Sequence, residues 1–356
     1  YRVTPAEADE KAMKVGLIGL RGSGKTTVFN MLTGLEVKVG EFRGDKDEVH
    51  LGVIKVPDLR VDRLAAIFKP KKTTYAEIQF ADFPPQAKES PTTGATLLSQ
   101  MREVEAIALV LKGFESDSKP LKDLDELLTE MVLADLAVVE NRLNRLKKEK
   151  GKEGEGRILQ RCQETLEKGT SLRPLSFTPD EENLLSGFGF LSRKPALALF
   201  NVNDEQAGKD LPAEYAHEIE ERGIEGFAVA GKLEMEIAQL NEADREAFLQ
   251  EAGLKETARA RFIRACYHLL DLISFFTTGE DEVKAWTIRR GTPARKAAGK
   301  IHSDIERGFI RAEVVTYEDF ITLGSEVKCK EAGKLRLEGK DYTVQDGDII
   351  HYRFNV

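Results

Sequence analysis

The residues with the clearest chemistry form a glycine-rich stretch near the amino end, Gly19-Leu20-Arg21-Gly22-Ser23-Gly24-Lys25-Thr26. This spacing is typical of a phosphate-binding loop, whose glycines let backbone N–H groups point inward at the positive end of the following helix. Lys25 is expected to reach the β and γ phosphates of a nucleotide, and the Thr26 hydroxyl to hold Mg2+, which prefers oxygen ligands. The stretch therefore predicts a site for a nucleoside triphosphate.

Asp82 is the candidate for a second metal contact. It directly follows residues 76–81, an apolar run that predicts a strand. A carboxylate at the tip of that strand can contact the metal ion of a phosphate-loop protein, and a solvated turn aspartate is the alternative interpretation. We predict Lys25 and Asp82 as catalytic residues, and Thr26 and Asp82 as metal contacts.

The elements that must position these residues are short apolar runs alternating with helical stretches. The runs predict buried, mostly parallel strands at residues 14–18, 51–56, 76–81, 106–111, 196–200 and 227–230. Such an order predicts right-handed crossovers and a doubly wound α/β sheet, with the ligand at the carboxyl ends of the strands. The phosphate loop follows the first strand at such an end.

A helical hairpin is predicted as an insertion at residues 113–191, between the apolar runs at residues 106–111 and 196–200. Apolar residues at steps of three and four define one helical face: Leu124, Leu128, Val132, Leu136, Val139, Leu143 and Leu146. A charged, glycine-rich tip follows at residues 147–156, and a second apolar stripe then leads back. The pattern favours an antiparallel coiled-coil arm whose seam is closed by Leu and Val side chains. An arm of this kind suggests a partner, and the alternative is that its basic tip is merely solvated.

A separate small α+β domain is predicted at residues 271–356, where the apolar period changes from helical to alternating. Before it, residues 233–254 and 257–272 predict two amphipathic helices. The nucleotide-binding domain is expected to comprise residues 13–112 and 192–270, and residues 1–12 are interpreted as an extension outside the fold. The C-terminal segment has no combination of side chains that suggests catalysis.

The composition narrows the class of protein. The 356 residues are enough for two or three domains, and 61 acidic against 53 basic side chains give a formal charge of −8, so that contact with RNA requires a local basic patch. Three widely separated cysteines argue against a disulfide framework. Since no apolar run approaches a membrane span and no signal-peptide pattern opens the chain, a soluble cytoplasmic protein is expected.

Several segments taken in order resemble the Obg-like ATPases of the YchF type, over residues 13–356. They are the phosphate loop, Val56-Pro57-Asp58, the helical arm, Asn201-Val202-Asn203-Asp204, Lys232-Leu233-Glu234-Met235-Glu236-Ile237, and residues 331–342. The most specific part is the C-terminal segment, which is similar to a TGS domain. A phosphate loop alone would fit very many proteins, whereas this ordered set would not.

The resemblance implies a G domain with a coiled-coil insertion and a β-grasp-like TGS domain, which binds and slowly hydrolyses a nucleotide with Mg2+. It implies a ribosome or RNA–protein complex as the partner of the arm and the TGS domain, and no membrane. It also implies a set of nucleotide contacts: Arg21, Gly22, Ser23, Gly24, Lys25, Thr26, Thr27, Asn201, Val202, Asp204, Ala230, Gly231 and Lys232. The family replaces the guanine-reading motif by Asn-x-x-Glu. The resemblance implies a preference for ATP, and the lysine of the guanine-reading motif is absent here, as in the family. Asp204 stands at the last position, where an aspartate could still accept two hydrogen bonds from a guanine edge, so ATP is favoured and GTP stays open.

Two departures from the family bear on hydrolysis. Pro85 stands where the family has the glycine whose N–H contacts the γ phosphate, and proline has no N–H to donate. Lys46 falls near the place of a switch threonine, and Gln86 is a weak candidate for orienting water. Phosphoryl transfer depends on positioning and electrostatics, so these losses favour binding over turnover. The two hypotheses are a slow nucleotide hydrolase and a nucleotide-binding interaction module that has lost hydrolysis.

Overall fold

A computed structural model describes residues 13–35, 37, 49–84, 91–149, 151–251, 254 and 256–355. The predicted extension at residues 1–12 lies outside them. The strands of the described residues are β1 (Lys14–Ile18), β2 (His50–Lys55), β3 (Lys72–Thr74), β4 (Glu77–Asp82), β5 (Ala106–Lys112), β6 (Ala196–Asn201), β7 (Glu225–Val229), β8 (Leu272–Thr277), β9 (Glu282–Arg289), β10 (Phe309–Thr316), β11 (Arg336–Glu338) and β12 (Asp348–Phe354).

The α-helices of the described residues are α1 (Lys25–Thr33), α2 (Leu59–Phe68), α3 (Pro91–Arg102), α4 (Pro120–Leu146), α5 (Glu153–Leu166), α6 (Pro179–Leu185), α7 (Ala213–Glu221), α8 (Gly231–Gln239), α9 (Glu242–Glu251), α10 (Ala258–Leu269), α11 (Ala294–Ile301), α12 (Ser303–Arg307), α13 (Tyr317–Leu323) and α14 (Glu326–Glu331). Short 3-10 helices occupy Ser186–Phe188, Leu191–Arg193 and Asp204–Gln206.

The first sheet carries the phosphate loop. Its strand order is β2-β4-β1-β5-β6-β7. β1 pairs in parallel with β4 and β5, and β5, β6 and β7 continue in parallel. The inner strands consist of aliphatic residues because both faces of the sheet are covered, and fully buried examples are Val15, Leu17, Ile107, Leu109, Leu197 and Leu199. The predicted α/β sheet is therefore confirmed, and its strands lie within two residues of the predicted bounds.

The insertion forms a helical hairpin, as predicted. α4 has 27 residues and packs against α5, which has 14. The seam between them buries aliphatic side chains and one cysteine: Val132, Val139, Ile158, Leu159, Cys162 and Leu166. Near the turn, Arg142 binds both Glu149, at 2.9 Å, and Glu155, at 2.6 Å. The coiled-coil character of this seam stays a prediction.

The second sheet has the order β11-β10-β12-β8-β9-β3. β10 is antiparallel to β11 and β12, and β8 is antiparallel to β9. β3 pairs in parallel with β9, so the segment Val53–Ile78 belongs to the same compact unit as Ile263–Val356. This differs from the predicted boundaries, which placed residues 53–78 in the nucleotide-binding domain. The difference arises because β3 has only three polar residues and its partner lies more than 200 positions away.

The single helix predicted at residues 233–254 was wrong. The structure has two helices there, α8 and α9, separated at Leu240 and Asn241. The Asn241 side chain accepts a hydrogen bond from the Asp244 N–H at 3.0 Å, which is how an asparagine caps the start of a new helix. The apolar period continues across this break, and for that reason the sequence pattern did not reveal it.

The three cysteines are buried and none of them forms a disulfide. Burial raises the pKa of Cys162 to about 11, and it also raises the pKa of Cys266. Thiolate is therefore scarce at neutral pH at these two positions. Among the described helices, none combines the length and the apolar character that crossing a membrane would require.

Candidate nucleotide site

The phosphate loop connects β1 to α1 in the conformation that its glycines allow. Gly22 and Gly24 have φ angles of 82° and 79°, a region that side chains disfavour. Gly24 is also the N-cap residue that directly precedes α1, and a Cβ atom there would collide with Nδ2 of Asn201. The position accepts only glycine for two independent reasons, the backbone angle and the neighbouring amide.

Lys25 and Asp82 form a buried ion pair directly after this loop. Lys25 is 5% exposed and Asp82 is fully buried, and the Lys25 ammonium donates a hydrogen bond to Asp82 Oδ1. The Thr26 hydroxyl donates to the other carboxylate oxygen, Oδ2, at 3.1 Å. Asp82 is placed there because β4 is in register with β1, with Asp82 opposite Leu17. The alternative of a solvated turn aspartate is therefore wrong.

The electrostatics of Lys25 follow from its burial. Burial lowers the pKa of Lys25, and the charge and hydrogen bond of Asp82 oppose that shift. An ammonium group has three N–H donors, and the contact with Asp82 Oδ1 uses one of them. Buried cations of this kind bind anions strongly because little water competes with them.

Asn201 connects the phosphate loop to the start of α8. It is 5% exposed, its Nδ2 donates to the Ser23 carbonyl at 3.0 Å, and its Oδ1 accepts from the Gly231 N–H at 3.1 Å. Ala230 is the residue that precedes α8 and is buried. The structure thus brings Ser23 and Gly24 together with Asn201, Ala230 and Gly231, which lie more than 170 positions further along the sequence.

The remaining predicted contacts are more open. Val202 is half-buried and its N–H donates to the Val229 carbonyl at 2.9 Å. Asp204 is exposed at the start of a 3-10 helix, and its carboxylate has no partner among the described residues. Arg21, Gly22 and Lys232 are exposed, and Thr27 is half-buried. The binding role of each of these residues stays a prediction.

Two residues near the loop were not predicted from the sequence. Phe114 lies beside the loop, with its Cε1 atom 3.7 Å from where a Cβ of Gly24 would stand. His50 Nδ1 lies 3.9 Å from Asp82 Oδ2. Phe114 comes just after β5 and His50 begins β2. The rule that ligands bind at the carboxyl ends of parallel strands could have indicated Phe114.

A cavity of about 480 Å³ adjoins Phe114. It is lined by Phe114, Val202 and Asn203, and by the aromatic rings of Phe200 and Tyr215, which stack at 5.4 Å. Lys46, Pro85 and Gln86, the positions on which the predicted loss of turnover depends, lie outside the described residues.

A strand, a phosphate loop, a helix and a buried carboxylate on the adjacent parallel strand define a P-loop nucleotide-binding protein with a G domain. Comparison with protein-family models agrees, because the model described as "50S ribosome-binding GTPase" matches residues 14–142. A second model, YchF-GTPase_C, described as a protein of unknown function, matches residues 272–355. These two matches together cover both ends of the chain.

Similar proteins identify the family. The chain is 37% identical to the ribosome-binding ATPase YchF of Bacillus subtilis, over 97% of this chain and 100% of that protein. It is 39% identical to the protein of the same name from Pasteurella multocida, over 96% and 99%. The structure of the Schizosaccharomyces pombe YchF GTPase matches with a TM-score of 0.83 at 26% identity, covering 96% of this chain and 97% of that one. The chain belongs to the YchF family.

Proposed function

We propose that this chain is a slow nucleoside triphosphate hydrolase that acts as a nucleotide-dependent switch on the ribosome. The observation that carries the proposal is the buried group of Lys25, Thr26 and Asp82 beside a glycine loop that accepts no other residue at Gly24. The names of the relatives, ribosome-binding ATPases, support both the activity and the partner. The predicted cytoplasmic location belongs to this proposal.

The described residues fit a polyphosphate. The loop leads directly into the first turn of α1, where backbone N–H groups and the positive end of the helix favour an anion. Lys25 supplies a buried positive charge at the same place. Ser23 Oγ is buried and has no hydrogen-bond partner among the described residues, which leaves a polar atom inside the loop for a ligand. Lys25 would hold the β and γ phosphates, and Asn201 would keep the loop in place from behind.

The same residues fit Mg2+. The Thr26 hydroxyl and a carboxylate oxygen of Asp82 converge at 3.1 Å, and both are hard oxygen donors of the type that Mg2+ selects. When bound with the nucleotide, the ion would neutralise charge on the β and γ phosphates. Asp82 would accept the hydrogen bonds of Lys25 and Thr26 and orient both side chains toward the ligand. Its carboxylate is fully buried, so water is excluded from it.

The choice of base is tested by competition. Asp204 is exposed, so water competes with any hydrogen bond between its carboxylate and a guanine edge, and such a bond would contribute little to the affinity for GTP. We expect ATP to displace a fluorescent nucleotide at a lower concentration than GTP. Calorimetric titrations with each nucleotide, with and without Mg2+, measure the preference, and a product assay then measures turnover. A clear preference for GTP would reverse the choice of base.

The same experiment separates the two functional hypotheses. Binding of both nucleotides without any product would favour the interaction module predicted from Pro85 and Lys46. No binding of either nucleotide would overturn the proposed function.

The helical arm is the proposed contact with ribosomal RNA. Its turn carries exposed basic side chains, namely Arg145, Lys147, Lys148, Lys152 and Arg157. Arg142 is neutralised by Glu149 and Glu155, so it contributes less to such a patch. Local positive charge of this kind binds phosphates despite the negative charge of the whole chain.

Replacing Lys147, Lys148 and Lys152 by glutamine is expected to weaken cosedimentation with ribosomes. Each lost phosphate contact should reduce the slope of log affinity against log salt by about one. The matched control replaces three exposed lysines away from the turn: Lys119, Lys122 and Lys168. Equal affinities and salt slopes for the two triple variants would exclude the arm tip as the RNA contact.

A further inference from the structure

A cavity of about 600 Å³ lies near the turn of the helical arm, between the end of α4 and the start of α5. This volume lies within the range of about 300 to 1,000 Å³ that is usual for cavities that bind small ligands. Residues at helical spacing line it in two stripes, one from each side of the turn: Glu140, Leu143, Asn144 and Lys147, and Glu153, Gly156, Gln160 and Gln163. Because residues three or four positions apart share one face of a helix, one face of each arm helix borders the cavity.

The cavity is open because α5 has a glycine at position 156. Farther from the turn, the seam of the hairpin is closed by buried aliphatic side chains such as Val139 and Leu159. At Gly156, a Cβ atom would meet no other atom within 4 Å, and the neighbouring Leu143 and Leu146 stay half-buried. Glycine is unfavourable within a helix, so the stability of the helix does not account for this opening.

The amide side chains that line the cavity retain hydrogen-bonding capacity. Gln160 is exposed, and its side chain forms no hydrogen bond with any residue that the structure describes. Gln163 donates to Glu167 at 2.8 Å, which leaves its carbonyl oxygen as an acceptor. Asn144 Oδ1 accepts from Lys147 at 3.0 Å, which leaves its N–H donors. Donors and acceptors are therefore both available in the cavity.

The charged side chains that line the cavity have both signs. Glu140 and Glu153 are exposed and form no ion pair within the described part of the chain. Lys147 and Lys152 are also exposed. Carboxylates accept hydrogen bonds from the amino groups of bases, whereas lysines attract phosphates. This combination suits one nucleotide, with its base in the cavity and its phosphates beside the lysines.

We propose that the cavity binds an unstacked base of single-stranded ribosomal RNA, and that this base carries an exocyclic amino group. Sequence-specific recognition of RNA mostly uses loops and bulges, whose bases turn outward and form hydrogen bonds along their edges. Cytosine, adenine and guanine offer amino donors to Glu140 and Glu153, whereas uracil has no amino group. This inference rests on the proposed contact of the arm with ribosomal RNA.

The test is Gly156→Leu, which fills the cavity without removing a charge. Leucine is a better helix former than glycine, and the new Cβ atom meets open space, so the midpoint of urea unfolding should not fall. We expect the affinity for ribosomes in cosedimentation to fall roughly tenfold, as for the loss of one base contact. The slope of log affinity against log salt should stay unchanged, because no phosphate contact is lost.

The matched control is Gly154→Leu. Gly154 lies in the first turn of the same helix, and a Cβ atom there also meets open space, but this residue does not line the cavity. The control should have a similar unfolding midpoint and an unchanged affinity for ribosomes. A second variant, Gln160→Leu, removes one amide and should weaken binding at an unchanged salt slope. Equal affinities for Gly156→Leu and Gly154→Leu, or a changed salt slope for Gly156→Leu, would overturn the inference.

The class of base is measured by fluorescence anisotropy with two labelled oligoribonucleotides of equal length, oligocytidylate and oligouridylate. Cytosine has an amino group where uracil has a carbonyl oxygen, so oligocytidylate should bind the unchanged protein more tightly. Gly156→Leu should remove this difference. Equal affinities of the unchanged protein for the two, or no binding of either, would contradict the choice of base.

The lysine variants of the arm separate this inference from the proposed RNA contact. If replacing Lys147, Lys148 and Lys152 weakens binding to ribosomes while Gly156→Leu does not, the base site is overturned and the RNA contact stands. If the unchanged protein does not cosediment with ribosomes, the proposed contact is overturned and this inference with it.

Discussion

Lys25→Ala is expected to weaken nucleotide binding by about 100-fold or more. The substitution removes the buried ammonium that is proposed to contact the β and γ phosphates, and a hydrogen bond to a charged group contributes about 1.5 to 3 kcal/mol. Two such contacts amount to about 3 kcal/mol at least, and every 1.4 kcal/mol corresponds to about tenfold in affinity. Calorimetric titration with ATP in Mg2+ measures the change.

Two controls separate lost binding from lost folding. Lys25→Ala leaves the fully buried Asp82 without its positive partner, which is itself destabilising. The double variant Lys25→Ala with Asp82→Asn removes both charges, so we expect it to unfold at a higher temperature than the single variant while still binding weakly. Lys168→Ala, at an exposed lysine, should bind normally. An unchanged affinity for Lys25→Ala would contradict the site assignment.

Asp135→Ala is expected to lower the free energy of unfolding by about 3 to 5 kcal/mol, because it removes one partner of a buried ion pair. Asp135 is fully buried within α4 and accepts three hydrogen bonds, from Arg102 at 2.7 Å and from the N–H groups of Leu191 at 3.0 Å and Ser192 at 2.7 Å. The alanine variant leaves the N–H groups of Leu191 and Ser192 without this acceptor, and it leaves Arg102 with only its bonds to the Gly189 and Ala134 carbonyls. Urea denaturation of the purified protein measures the effect.

Asp125→Ala is the matched control. Asp125 also lies on α4 and also binds an arginine, Arg222 at 3.0 Å, but its side chain is 56% exposed. Exposed ion pairs contribute at most about 1 kcal/mol. If the two alanine variants had free energies of unfolding within about 1 kcal/mol of each other, Asp135 would not hold the base of the arm.

The comparison of Asp125 and Asp135 also shows a limit of sequence patterns. Both are aspartates on one long helix, and the helical period of the apolar residues predicted that helix correctly. Nothing in the local sequence distinguishes an aspartate that faces water from one that accepts the N–H groups of Leu191 and Ser192. The distinction depends on residues more than 50 positions away.

Contacts that could not be read from the local sequence account for the other differences between the predicted and the observed structure. The three-residue strand β3 has no apolar run to indicate it. It forms because its backbone pairs with the edge strand β9. Arg60 has the appearance of an ordinary surface arginine of an amphipathic helix, but it forms an ion pair with Asp346, which is 286 positions away. The break between α8 and α9 depends on one capping asparagine within a continuous apolar period.

The amino-acid sequence alone determined the phosphate loop, the parallel strands around it and the helical hairpin. Each of these is specified locally, by glycines at required backbone angles or by the spacing of apolar side chains, and local constraints can be read along the chain. Only the tertiary structure decided that Asp82 is buried against Lys25, that Asn201 supports the loop, and that residues 53–78 join the C-terminal sheet. Those features are contacts between segments that are far apart in the sequence. The spacing of apolar residues within one segment does not indicate which distant segment it will contact.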